Sequence, residues 1–233
     1  MKRSMTRGRW WGAGVAALCL WLAAAGGAQG GEAFATLEPK TSREGYLARL
    51  LINEVPFPGV RGFVSEEDTR TAMREVLWVL HGRTKLVPAG YKQEEVGGTT
   101  GTNVLDFITA RRQCEGFMRD AQGGLAMEAR VEARVEYLLK LANSGSKPGR
   151  FANLLNYAQD LAKRYFAEGM TEADVFAELT SIGGVPVTGR PYSWMAGQDI
   201  YHPGGSFVRI PDSLRGLLGG NRFFTLQRKD GTQ

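Results

Sequence analysis

Histidine and cysteine are scarce in this chain, two of each among 233 residues. The histidines, His81 and His202, make no H-E-x-x-H or H-x-H pattern, and no cysteines stand in paired spacing. A catalytic zinc site therefore has no ligand set to rest on. A G-x-S-x-G elbow and a Walker A loop are missing as well, which sets aside the familiar α/β hydrolases and P-loop enzymes. No cofactor or metal is expected.

An excess of basic charge is also missing once the N-terminus is set aside. Lys2, Arg3, Arg7 and Arg9 form a basic start without an acid, followed by the apolar run "AGVAALCLWLAAA" and the small residues "GGAQG". That order is a secretory signal over residues 1–30, with cleavage expected near Ala28 or Gly30. The apolar run is marginal for spanning a bilayer, and Leu18 before Cys19 does not suit lipoprotein processing. Removing these residues takes four of the 29 Lys and Arg and none of the 24 Asp and Glu, leaving 25 against 24. The sequence pI of about 9.3 is then largely a property of the signal, so nucleic acid is not an expected partner. Cys114 alone remains, so the exported chain must hold together without an internal disulfide. The expected location is periplasmic or extracellular, with no stable membrane insertion.

About 200 residues remain, enough for one domain. Thr41 and Glu44 have capping-box spacing ahead of Tyr46, Leu47, Leu50 and Leu51, which recur at helical intervals. Ser65, followed by Glu66, Glu67 and Asp68, starts a second predicted helix with Ala72, Met73, Val76, Leu77 and Leu80 inward and Gly82 at its end. His81 at that end suits a contact with the helix dipole. Further helices are predicted over Glu128–Asn143, Phe151–Glu168 and Thr171–Leu179, with "NSGSKPG" (residues 143–149) as a loop. After Gly183 the chain is rich in Gly, Pro and aromatics, and reads as irregular structure with short strands such as Phe207–Ile210 and Phe223–Leu226. The expected fold is mostly α (α+β): an N-terminal extension over 31–40, then a single helical domain over 41–233 with a loop-rich C-terminal part.

Glu54, in "LLINEVPFPG", is the residue that stands out. Leu47, Leu50, Leu51 and Glu54 follow i, i+3, i+4, i+7, so the carboxylate projects from an apolar stripe where Pro56 and Pro58 stop the helix. Three readings are open: a solvated helix end, a structural ion pair, or an acid whose pKa burial raises. The third is what protonating a glycosidic oxygen needs. Tyr192, Trp194, Tyr201 and Phe207, mixed with Gly, Asn and Gln, suit either a sugar-stacking groove or a small aromatic core. Cys114 paired with a distant histidine competes with Cys114 as a small apolar residue, the ordinary role of a buried cysteine.

In three ordered segments the chain resembles the SleB-type cell wall hydrolases, a group of lysozyme-like lytic transglycosylases. "YLARLLINEVPFPG" followed by "TRTAMREVLWVLHGR" looks like the family's opening, in which a helix ending in the catalytic Glu precedes an A-x-x-x-V-x-x-x-R helix. "NVLDFITARRQCEGF" is similar to the later Q-F-S segment, and "GGNRFFTL" to G-N-H-x-F-Y. Cys114-Glu115 stand where Phe-Ser is usual, and Arg222 takes the place of the His. The resemblance implies a lysozyme-like domain with Glu54 as general acid/base, Gln113 in the substrate groove and Asn221 near the active cleft. Tyr192, Trp194 and Tyr201 are candidates for that groove by their composition, and Glu115 is a candidate second acid beside its reading as a surface charge. The bond cleaved joins N-acetylmuramic acid to N-acetylglucosamine in peptidoglycan glycan strands, by hydrolysis or by anhydro-ring closure. A non-catalytic envelope glycan- or peptide-binding protein, or a wall-degrading toxin, shares the same scaffold expectation.

Overall fold

The computed structural model describes residues 33–196 and 202–229. The expected signal segment and Tyr201 lie outside the described residues. Among those residues no helix is long and apolar enough to cross a membrane.

Helix α1 (Arg43–Asn53) is the centre of the helical part, with Tyr46, Leu47, Leu50, Leu51 and Ile52 all fully buried. Its cap is Ser42 and not Thr41: the Ser42 hydroxyl accepts from Gly45 N at 3.0 Å, while Glu44 turns to Arg43. The capping box therefore gives way to a simple Ser cap, which satisfies one of the orphan N–H groups of the first turn. Helices α2 (Glu66–Lys85), α5 (Ala129–Asn143) and α6 (Arg150–Glu168) pack around α1. The apolar stripe of α6, from Leu154 through Tyr165, is buried as its spacing predicts. Two short helices, α3 (Gln93–Gly97) and α4 (Val104–Thr109), and a hairpin of β1 (Phe117–Arg119) with β2 (Leu125–Met127), fill the stretch between α2 and α5. Tyr46 Oη ties this hairpin to α1, donating toward the carbonyls of Met118 and Ala126 at 3.0 and 2.9 Å.

Helix α2 starts at Ser65 as expected but runs past Gly82 to Lys85. Gly82 is a packing glycine: a Cβ there would stand 3.2 Å from the Tyr192 ring. His81 is consequently inside the helix, edge-on to Trp78 and Tyr165, and burial lowers its pKa. The predicted helix over Thr171–Leu179 is a set of turns. Its backbone groups are taken by side chains instead: Trp78 Nε1 donates to the Glu172 carbonyl, Val175 N donates to Glu75, and Asp174 accepts from Phe176 N.

The C-terminal part is more ordered than its composition suggests. After a small hairpin of β3 (Ser181–Ile182) and β4 (Val185–Pro186), an antiparallel sheet runs in the order β5 (Ser193–Ala196), β8 (Asn221–Leu226), β6 (Phe207–Arg209). Strand β7 (Leu217–Leu218) adds to β8 through the two-residue turn Gly219-Gly220. Both glycines have positive φ, as a tight hairpin turn matched to strand twist requires. The described residues thus form an α+β domain, and residues 33–40 belong to it: Asn143 pairs with both backbone groups of Ala35, and Gln159 accepts from Glu38 N.

Candidate active site

The end of α1 is held by three different elements. Glu54 is the C-cap, its N–H donating to Leu50 O at 3.0 Å, and Val55-Pro56 then leaves the helix. From α5, Arg134 donates to Val55 O at 2.8 Å and more weakly to Ile52 O. From β8, Asn221 Nδ2 donates to the Glu54 carbonyl at 2.5 Å, and from α2 the Thr69 hydroxyl reaches Pro56 O at 3.3 Å. The Gly219-Gly220 turn makes this approach possible: a Cβ on Gly219 would stand 2.6 Å from Ala72 Cβ. Side chains fixed in this way keep one geometry without reorganising.

The Glu54 carboxyl lies in a cleft of about 650 Å³ between α1, α5, the 112–115 segment and β5. Trp194 Nε1 donates to Glu54 Oε2 at 2.7 Å. That leaves Oε1 without a hydrogen-bond partner among the described residues and available to whatever occupies the cleft. Burial raises the Glu54 pKa above its ordinary value; the Trp194 N–H and the Arg134 charge oppose that shift without cancelling it. A carboxyl that keeps its proton to higher pH, held on one side and open on the other, can act as a proton donor.

Comparison with protein-family models, with curated proteins and with solved structures returned no match.

Of the residues expected at the site, Glu54, Gln113, Glu115 and Trp194 line this cleft together, and Asn221 lies just beneath Glu54, 1 % exposed. Glu115 is a rim charge and not a second buried acid. Its side chain is 89 % exposed and paired with Arg130 at 2.8 Å. Tyr192 is a correction. Its ring is buried under α2 with Val96 and Leu226, and its hydroxyl donates to Leu86 O at 2.7 Å. It anchors the sheet to the helix, as the small-core reading of the aromatics allowed. Cys114 is buried in the main core, where desolvation pushes its thiol far up, so it acts as an apolar residue.

The arginines were not foreseen. Arg83, Arg112, Arg130 and Arg134 all line the cleft. Arg83, in the last turn of α2, donates to Gln113 Oε1 at 3.1 Å and to the Tyr192 carbonyl, with the rings of Phe107 and Phe207 on its guanidinium. Gln113 in turn lies on Gly98, at a spot where a Cβ would collide with its amide. The signal the sequence offers is the place of Arg83 at the end of the second predicted helix, inside a segment that carries the resemblance.

Proposed function

We propose that this protein is a peptidoglycan glycosidase, a divergent relative of the SleB-type cell wall hydrolases with a lysozyme-like domain, exported to act on the wall. Glu54 is the general acid/base for the bond between N-acetylmuramic acid and N-acetylglucosamine. The observation that carries the reading is the Glu54 carboxyl itself: raised in pKa, hydrogen-bonded by Trp194 on one oxygen and open to the cleft on the other. In the first step the protonated carboxyl delivers its proton to the leaving glycosidic oxygen.

The proposed mode is anhydro-ring closure, with hydrolysis through the same carboxylate as its competitor. Glu115 is engaged by Arg130, and Glu95 reaches Lys229 and the Lys92 N–H. Both are exposed acids in surface ion pairs, without the burial that raises Glu54, so Glu54 carries both proton transfers in this mechanism. Glu54, once deprotonated, then accepts the proton of the muramic C6 hydroxyl as that oxygen closes the anhydro ring. A second cavity, of about 780 Å³, also has Arg112, Gln113 and Glu115 in its lining.

Digestion of purified peptidoglycan by the protein and by Glu54→Gln, with mass analysis of the products, tests this. Anhydromuramoyl ends from the wild type and none from the variant are expected. Equal release by both would remove Glu54 from the chemistry, and reducing ends would replace the anhydro mode by hydrolysis. Release by neither would favour a binding protein on this scaffold.

A further inference from the structure

A neutral sugar polymer gives an arginine little to hold, yet four arginines line the Glu54 cleft. Three of them are committed. Arg83 holds Gln113 and Tyr192, Arg134 holds the carbonyls of Ile52 and Val55, and Arg130 is paired with Glu115 and Glu128. Arg112 is exposed, and its side chain makes no hydrogen bond or ion pair with any described residue.

Its backbone is unusual as well. Arg112 has φ 65°, a left-handed conformation that glycine adopts freely and a residue with a Cβ adopts at a cost; Arg215 alone shares it among the described non-glycine residues. Backbone strain of this kind points to function when it presents a particular side chain at a site. Arg112 also lines both the Glu54 cleft and the second cavity, which runs along residues 109–119.

We propose that the groove recognises free carboxylates on the stem peptides of its glycan strand, and that Arg112 binds the carboxylate nearest Glu54. The proposal rests on the peptidoglycan reading above. In that polymer the muramoyl sugar carries its peptide beside the scissile bond, so an anion is delivered next to the acid. A planar guanidinium fork matches a carboxylate with two parallel hydrogen bonds. Glu115, which lines the same cleft, is paired with Arg130, and the Arg112 fork has no ion pair with a described residue.

The test uses two soluble tetrasaccharide-peptides that differ only in their stem carboxylates, free in one and amidated in the other. Binding is measured by calorimetry with Glu54→Gln, which does not turn them over. We expect the free acid to bind about tenfold more tightly or better, as one charge-assisted pair implies. Added to that background, Arg112→Gly abolishes the preference while the thermal midpoint stays the same or rises, because glycine relieves the left-handed strain. Arg112→Lys keeps part of the preference. Equal affinities for the two ligands, or a preference that survives Arg112→Gly, would overturn the proposal. Turnover by the wild type separates the two levels. Cleavage of both ligands without preference sinks only the carboxylate inference. A preference in binding without cleavage of either upholds it and sinks the glycosidase reading.

Discussion

Glu75 offers a prediction whose size can be worked from the structure. It lies in α2 with no exposure, Oε1 accepting from Val175 N at 3.3 Å and Oε2 buried without a hydrogen-bond partner. Burial, and then the neighbouring Asp174 carboxylate, push its pKa from the ordinary 4.5 up to about 8. Asp174 is itself raised by burial, to about 6. The sign follows from proton counting. Between pH 4.5 and 8 the unfolded chain loses this proton while the folded chain keeps it, so stability is fully present below pH 4.5 and is lost as pH rises through 8. At about 1.4 kcal/mol per tenfold change, the loss amounts to at most about 5 kcal/mol at pH 9.

Glu75→Gln removes the proton equilibrium and keeps an oxygen for Val175 N. Urea unfolding at pH 4.5, 6, 7.5 and 9 should show the variant close to wild type at the lowest pH. At pH 9 it should be more stable by several kcal/mol, which corresponds to roughly 10 °C in Tm for a domain of this size. Asp174→Asn should reproduce part of the effect and shift the wild-type curve toward that of Glu75→Gln, because Asp174 contributes to the Glu75 shift. A wild-type pH dependence that persists unchanged in Glu75→Gln, or a variant less stable than wild type at pH 9, would refute the reasoning.

Four further outcomes are expected. In kcat/KM against pH, the limb that falls with rising pH should lie above the ordinary carboxyl range, and Trp194→Phe should move it higher still, since the indole N–H favours the charged form of Glu54; a limb that stays put counts against the contact. Asn221→Ala, which strands the Glu54 carbonyl, should cost about 1–3 kcal/mol in urea unfolding and lower kcat more than it raises KM. Gly219→Ala should be worse for folding, by about 1–3 kcal/mol, because a Cβ meets Ala72 in a backbone that disfavours one. Tyr192→Phe should lose about 1 kcal/mol with the bond to Leu86 O and leave glycan affinity unchanged, separating an anchor from a groove residue.

The four long helices were legible because each carries its own period, whereas α3 and α4 are too short to show one and the expected Thr171–Leu179 helix is a set of turns. The stripe of α1 needs only Leu47, Leu50 and Leu51 to place Glu54, and the structure keeps that placement. What the period could not supply was the surroundings of the stripe. Tyr192 and Trp194 are two residues apart in one aromatic stretch, yet one lies over Gly82 in α2 and the other reaches the end of α1. Only the docking of the sheet on the helices distinguishes them, and composition is blind to that docking. The same limit hid the arginines, since a charged residue reads as solvated surface until the segments that cover it are known.

Short, glycine-bounded strands gave the C-terminal part the look of a loop, although it delivers two of the contacts that fix Glu54. Trp194 pairs with Phe223 and Ala196 with Asn221, so β5 and β8 bring the indole and the amide to the same helix end together. Slipping β8 by one residue would turn Asn221 to the other face of the sheet and put Arg222 or Gly220 in its place. The Gly219-Gly220 turn and its close fit against Ala72 and Pro56 forbid that slip. The information that builds the site therefore lies in a register set by two glycines, and in sequence these mark only a turn.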